Sequence, residues 1–234
     1  MLGNLVIHLK PHFLRFFLFY SCHFTTLKRA HRILADDYIL VNLQQKYKKI
    51  KTMPQYNTTE EFEKVLHDCR EIFVKKLHDY GTAWRVMRPE TVTDQLYIKA
   101  ARIRSLQMKG CAMVDEGVVP EFIAIVNYSI IALIQLDKGV ANAEDINVEE
   151  ATELYDKHAQ EALELMLKKN HDYDEAWRGM LVSSYADLIF MKIFRTKQIE
   201  ALNGETLISE GVAANYMDMM NYAVFGLIKL TLEK

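Results

Sequence analysis

Two pairs of carboxylates stand at i, i+3 spacing, Asp68 with Glu71 and Glu161 with Glu164. Residues so spaced share a helix face, so each pair can present its oxygens to one point. Two further acids, Glu121 and Asp218, interrupt stretches that are otherwise nearly all apolar. A polar group buried without a partner costs roughly 1–3 kcal/mol, and an unpaired charge costs more. Such acids need a cation, a metal or a network of donors. Carboxylates converging from several helices make an oxygen-rich site for a hard divalent ion, Mg²⁺ or Mn²⁺. On that reading Asp68, Glu71, Glu121, Glu161, Glu164 and Asp218 are the metal ligands, and Glu71, Glu121, Glu164 and Asp218 are the catalytic carboxylates that also orient water. Lys99, Arg102, Lys192 and Arg195 suit phosphate oxygens. Tyr80, Trp84, Tyr173 and Trp177 carry rings that can stack on a base. Asp79, Arg85, Asp94, Asn127, Asp172, Arg178, Asp187 and Asn221 complete the expected substrate-binding set.

Each of these groups also has a structural reading. The acid pairs can be solvated faces of amphipathic helices. His78 and His171 fall near expected helix C-termini, where a contact with the last carbonyls suffices. The tryptophans can be core anchors. Asp79 and Arg85 can pair locally and shape a turn. Asn127–Tyr128 and Asn221–Tyr222 can form helix-to-helix hydrogen bonds across a pseudo-axis.

What must position these residues is a duplication. "HDYGTAWR" at 78–85 returns as "HDYDEAWR" at 171–178. At an offset of 93, ten of the 25 residues from His78 to Arg102 are identical to those from His171 to Arg195. At an offset of 94, eight of 21 agree between 116–136 and 210–230. The survivors are mostly polar or aromatic, which favours a shared chemical role over a merely retained apolar pattern. The units, repeat 1 over 53–137 and repeat 2 over 148–234, are joined by a polar linker, and such self-similarity governs the fold. Helical periodicity predicts three helices per unit, 57/58 to about 78, about 91–110 and about 117–136, then about 148–170, 182–203 and 211–232. No strand is expected. The expected architecture is all-α, two tandem units packed as a pseudo-two-fold bundle, because each unit has one broad apolar face to cover.

Composition narrows the function classes. Nine Gly and four Pro in 234 residues leave no GxGxxG and no P-loop for phosphate. Three cysteines, Cys22, Cys69 and Cys111, are far apart and form no zinc spacing, which suits a reducing, cytoplasmic compartment. Residues 1–52 hold nine Lys/Arg against two Asp/Glu, whereas 53–234 hold 20 against 29. An acidic body lacks the basic stripe of a nucleic-acid binder. The aromatic run at 11–24 is interrupted by Arg15 and is shorter than the ~20 residues of a spanning helix. We expect residues 1–52 to be a basic, apolar leader outside the fold, with translation starting at Met53, and we expect no membrane association.

The stretches "KKLHDYGTAWR", "DQLYIKAARIRSL" and "VNYSIIAL" resemble the nucleotide modification associated domain 1 family, a domain of unknown function, over 60–136 and 150–232. That family looks like a relative of the MazG-type all-α nucleoside triphosphate pyrophosphohydrolases. The second resemblance implies an E-x-x-E pair and a later E-x-x-D pair holding Mg²⁺ against a triphosphate. Asp68/Glu71 and Glu161/Glu164 match the first pair. The later pair departs from the pattern in both units, as Glu121 with Ala124 and Asn215 with Asp218. Either one composite site survives or neither is catalytic. Two functions are therefore expected in contrast. One is nucleotide binding with Mg²⁺-dependent hydrolysis at the α/β phosphate linkage, in a chain that can form a homodimer. The other is a non-catalytic helical binding or scaffold protein with a degenerate site.

Overall fold

The computed structural model describes residue 42 and residues 56–110, 117–202 and 211–233. The expectations for the leader, for a start at Met53, and for Cys22 and Cys111 fall outside the described residues. Residues Asn57–Lys234 form one compact unit. Its described elements are all helical: α1 (Thr58–Tyr80), α2 (Pro89–Lys109), α3 (Val119–Lys138), α4 (Val148–Tyr173), α5 (Val182–Ala201) and α6 (Val212–Thr231), with 3-10 turns at Ala83–Val86 and Ala176–Gly179.

Local chemistry sets the ends. The Asn57 and Asn147 side chains accept from the backbone N–H of Glu60 and Glu150, at 3.3 and 2.8 Å, capping α1 and α4. Pro89 itself opens α2, two residues earlier than periodicity suggested, because a first-turn proline has no amide to satisfy there. Helices α1 and α4 run to Tyr80 and Tyr173, past the expected 78 and 170. Gly81 then turns the chain at φ 62°, and a Cβ there would lie 2.6 Å from Glu144 Oε2. In repeat 2 the same place is taken by Asp174 in the left-handed region, where Asp is tolerated.

Helices α3 and α6 make the most extensive contact and run through the centre. Helix α3 is apolar and long enough to cross a membrane by composition alone, yet most of it is buried inside the bundle. Helix α2 packs on α3 and α5 on α6, while α2 meets α5 and α1 meets α4. Helix α1 also reaches α6, and α4 reaches α3, so the repeats exchange contacts about the expected pseudo-two-fold axis. Surface pairs repeat the exchange. Lys197 bonds Asp94, and Arg104 lies 3.4 Å from Asp187, its repeat equivalent. Exposed pairs of this kind contribute at most about 1 kcal/mol.

The arginine of each repeated octapeptide ties its turn to the approach to the other repeat's first helix. Arg85, 1 % exposed, donates to Asp145 at 2.7 and 3.1 Å, just before α4, and to Gln135 of α3. Gln135 donates in return to the carbonyls of Arg85 and Met87. Arg178 donates to Thr58 at 2.7 Å and to Glu61, both on α1, and also to Glu175 and Glu233. Lys229, the repeat of Gln135, donates to the Arg178 carbonyl. The hydrogen bond from Arg85 holds the Asp145 carboxyl below its usual range. Burial opposes ionisation of Glu175, but bonds from Thr58, Asn170 and Arg178 outweigh it and depress its pKa.

Arg85→Ala leaves the buried Gln135 carbonyl without its donor and should cost about 1–3 kcal/mol in urea unfolding. Arg178→Ala should cost more, since three carboxylates lose one guanidinium. The depressed Glu175 pKa stabilises the fold above its ordinary value of 4.5 and is lost as pH falls through the folded value. The difference between wild type and Arg178→Ala should therefore shrink below that pH. Burial, followed by the charge of Asp68, pushes the Cys69 thiol up to about 12, so stability should fall as pH rises above its ordinary 9.0. With Cys22 and Cys111 replaced by Ser, Cys69 should resist iodoacetamide at about pH 8 until the chain is denatured; rapid alkylation of the native protein would contradict its burial.

Candidate functional site

The two acids in the central helices are buried, and each is neutralised twice. Glu121, 2 % exposed, receives Arg102 on one oxygen and Lys99 at 3.3 Å on the other. Asp218, 6 % exposed, receives Lys169 and Lys192, each at 2.6 Å. Lys192 is the repeat of Lys99, and Lys169 is the repeat of Lys76. Asn215 occupies the place of Glu121 in repeat 2 and turns back to donate to the Gly211 carbonyl at 3.0 Å. Ala124 occupies the place of Asp218 in repeat 1. Each repeat thus keeps one buried acid, at a different turn of the same helix.

The expected metal cluster is not assembled. Asp68 lies exposed 3.1 Å from Lys64, and Glu71 lies exposed 3.1 Å from Lys75. Glu161 sits 2.9 Å from His158, and Glu164 accepts from Gln160 at 3.3 Å. Among the described residues no group of three or more His, Cys, Asp or Glu is placed to hold a metal ion. Mg²⁺ does not fit these donors. The i, i+3 pairs face outward with local partners, and Glu121 and Asp218 already have two cations apiece.

Most of the conserved-looking polar residues of the duplication hold the fold instead of converging. Asn127 donates to the Cys69 carbonyl at 3.2 Å, and Asn221 to the Ala162 carbonyl at 3.4 Å. These bonds join helices within a repeat; across the repeats, Tyr155 donates to Asn127 at 2.9 Å. Asp94 and Asp187 belong to the surface pairs, and Arg85 and Arg178 to the clamps, so Arg85 pairs with Asp145 and not with Asp79. Asp79 and Asp172 are exposed, the latter beside His171 at 3.2 Å. Arg195 is half-buried on α5. Tyr80 and Tyr173 are 73 % and 71 % exposed.

The tryptophans differ between repeats. Trp177 is buried and stacks on Phe225, with ring centroids 4.3 Å apart and planes at 11°. Trp84 is half-buried and forms part of the wall of a cavity of about 520 Å³ in repeat 1. The cavity opens between α1, the first 3-10 turn and α3. Its lining is mostly apolar, with Phe73, Tyr80, Trp84 and Tyr128 as rings, Ala124 and Ile131 on α3, and the exposed Lys76 as its cation. Ile131 stands where repeat 2 has Phe225. Lys76 has no ion-pair partner among the described residues, whereas its repeat equivalent Lys169 holds Asp218. Tyr80 and Trp84, both expected from the sequence to bind substrate, border this cavity. Lys76 was missed, although it is identical to Lys169 at the same offset of 93 as the octapeptide. The signal was a lysine kept beside an acid that was lost.

No curated protein and no solved structure matches the chain. The family model described as nucleotide modification associated domain 1 matches twice, over residues 76–136 and 169–230, which together are more than half of the chain. Both matches run from the end of a repeat's first helix through its third, across the Arg clamp and the buried acid. The chain belongs to the nucleotide modification associated domain 1 family, as a tandem duplication of that domain.

Proposed function

We propose that this protein binds a nucleotide in the cavity of repeat 1 and does so without hydrolysing it. The observation that carries the reading is Lys76. It borders a largely apolar cavity beside Tyr80, Trp84 and Tyr128, and the acid that its counterpart neutralises is replaced by Ala124. An apolar pocket with a few convergent polar groups is the ordinary form of a small-molecule site. Aromatic walls suit a base, and an ammonium without a carboxylate suits a phosphate oxygen. The family's association with nucleotide modification is consistent with such a ligand.

Binding is favoured over hydrolysis by the state of the carboxylates. An acid that bridges a metal to a triphosphate needs charge to spare, and that of Glu121 and of Asp218 is balanced by two cations each, although Glu121 Oε2 has only the ion pair with Lys99 and no hydrogen bond. The structural reading of the octapeptide is compatible with this function, since Arg85 fixes the turn that carries Trp84.

Calorimetric titration with a panel of ribo- and deoxynucleotides, with and without Mg²⁺, tests the proposal. Saturable binding should appear without Mg²⁺. Lys76→Gln should weaken it about tenfold or more, as expected for loss of a charged hydrogen bond worth about 1.5–3 kcal/mol. Phosphate and pyrophosphate release should stay at the uncatalysed level. Mg²⁺-dependent release of pyrophosphate would restore the hydrolase reading, and a wild-type chain that binds nothing in the panel would leave only a scaffold.

A further inference from the structure

Repeat 2 fills with its own side chains the two places that repeat 1 leaves open. On α6, Asp218 puts a carboxylate on Lys169 at 2.6 Å, and Phe225 lays a ring on Trp177 at 4.3 Å. On α3 the equivalent positions are Ala124 and Ile131, which with Lys76 and Trp84 line a cavity of about 520 Å³; Trp84 there has a tilted contact with Phe73, ring centroids 6.5 Å apart, in place of the close stack. Both substitutions remove what the retained partner would bind: an anion from the lysine and a flat ring from the tryptophan. Both lysines and both tryptophans persist.

Resting on the nucleotide-binding reading, we infer that Asp218 and Phe225 are a built-in replica of the ligand of repeat 1, and that the ligand is a nucleoside monophosphate bound once per chain. The replica specifies the chemistry. Asp218 and Phe225 are seven residues apart on one helix, two turns, so the anion and the ring are separated by a rise of about 10 Å. One end of the ligand stacks on Trp84, and the other carries a single anionic group to Lys76. A second and third phosphate would find no further lysine or arginine in the cavity lining, and Lys99 and Arg102 of the same repeat are already on Glu121. A terminal phosphate on a short sugar link is the nucleotide form that this charge balance suits. The same reasoning makes repeat 2 a closed copy: its pocket is occupied by covalently attached groups, which no free ligand at ordinary concentration displaces.

Reciprocal double variants separate this inference from the function it rests on. In A124D/I131F the replica is transplanted into repeat 1. The variant adds groups to an existing cavity and empties none, and a cooperative circular-dichroism melt checks that it folds. Its affinity for adenosine, guanosine, cytidine and uridine monophosphates and their deoxy forms should fall at least tenfold. In D218A/F225I the replica is removed, and calorimetric stoichiometry should rise from one site per chain to two. Among wild-type ligands, a monophosphate should bind at least as tightly as the matching triphosphate. A folded A124D/I131F that binds with wild-type affinity overturns the replica while leaving nucleotide binding intact. So does a triphosphate preference of tenfold or more. A wild-type chain that binds no nucleotide at all overturns both.

Discussion

A carboxylate buried in the seam of a helical bundle must be neutralised, and this requirement organises the molecule. Glu121 and Asp218 are each less than a tenth exposed, and each draws two cationic side chains from its own repeat, Glu121 both from α2 and Asp218 one each from α4 and α5. Leaving either charge uncompensated would cost several kcal/mol, a sizeable part of a domain's whole stability. The lysines at 99 and 192 are therefore fixed in direction by the fold. What differs between the repeats is the turn on which the acid stands. In repeat 1 it is Glu121 and leaves Lys76 unmatched; in repeat 2 it is Asp218 and uses Lys169.

That displacement of one acid by a single helical turn converts a symmetric duplication into an asymmetric protein. The apolar positions changed in the same sense. Phe225 completes a stack with Trp177 in one repeat, and Ile131 leaves Trp84 on a cavity wall in the other. The scaffold kept its symmetry, as the reciprocal Arg clamps and the paired surface bridges of Asp94 and Asp187 show. Duplication supplies two copies of each contact, so one copy can specialise while the other preserves the packing. The buried Gln135 and the half-buried Lys229 at the same register illustrate how far chemistry can drift once geometry holds, since both donate to the carbonyl of the clamp arginine.

The persistence of polar identity between the repeats had pointed to a shared ligand site. Most of that persistence has another cause. Asn127 and Asn221 tie helices together, Arg85 and Arg178 bind the approach to the opposite repeat, and Lys99 and Lys192 neutralise the core acids. Buried polar groups are as intolerant of change as catalytic ones, because an orphaned partner is costly. A similar ambiguity attended the i, i+3 acid pairs. Helical spacing shows that Asp68 and Glu71 share a face, but not which face is turned to solvent.

The all-α class, the duplication, the six helices with ends to within about three residues, and the resemblance to the family were all readable from the chain alone, because periodicity, caps and internal identity are local or pairwise properties. The sequence also showed that Glu121 and Asp218 would need a cation, a metal or a network of donors. Packing alone showed that lysine and arginine meet those acids, that the octapeptide arginines reach across the pseudo-axis, and that one tryptophan is sealed by a ring while the other borders a cavity. Those facts depend on which helices meet and at what distance, and burial in the assembled bundle, not residue type, sets whether a charge or a ring is already satisfied or still open.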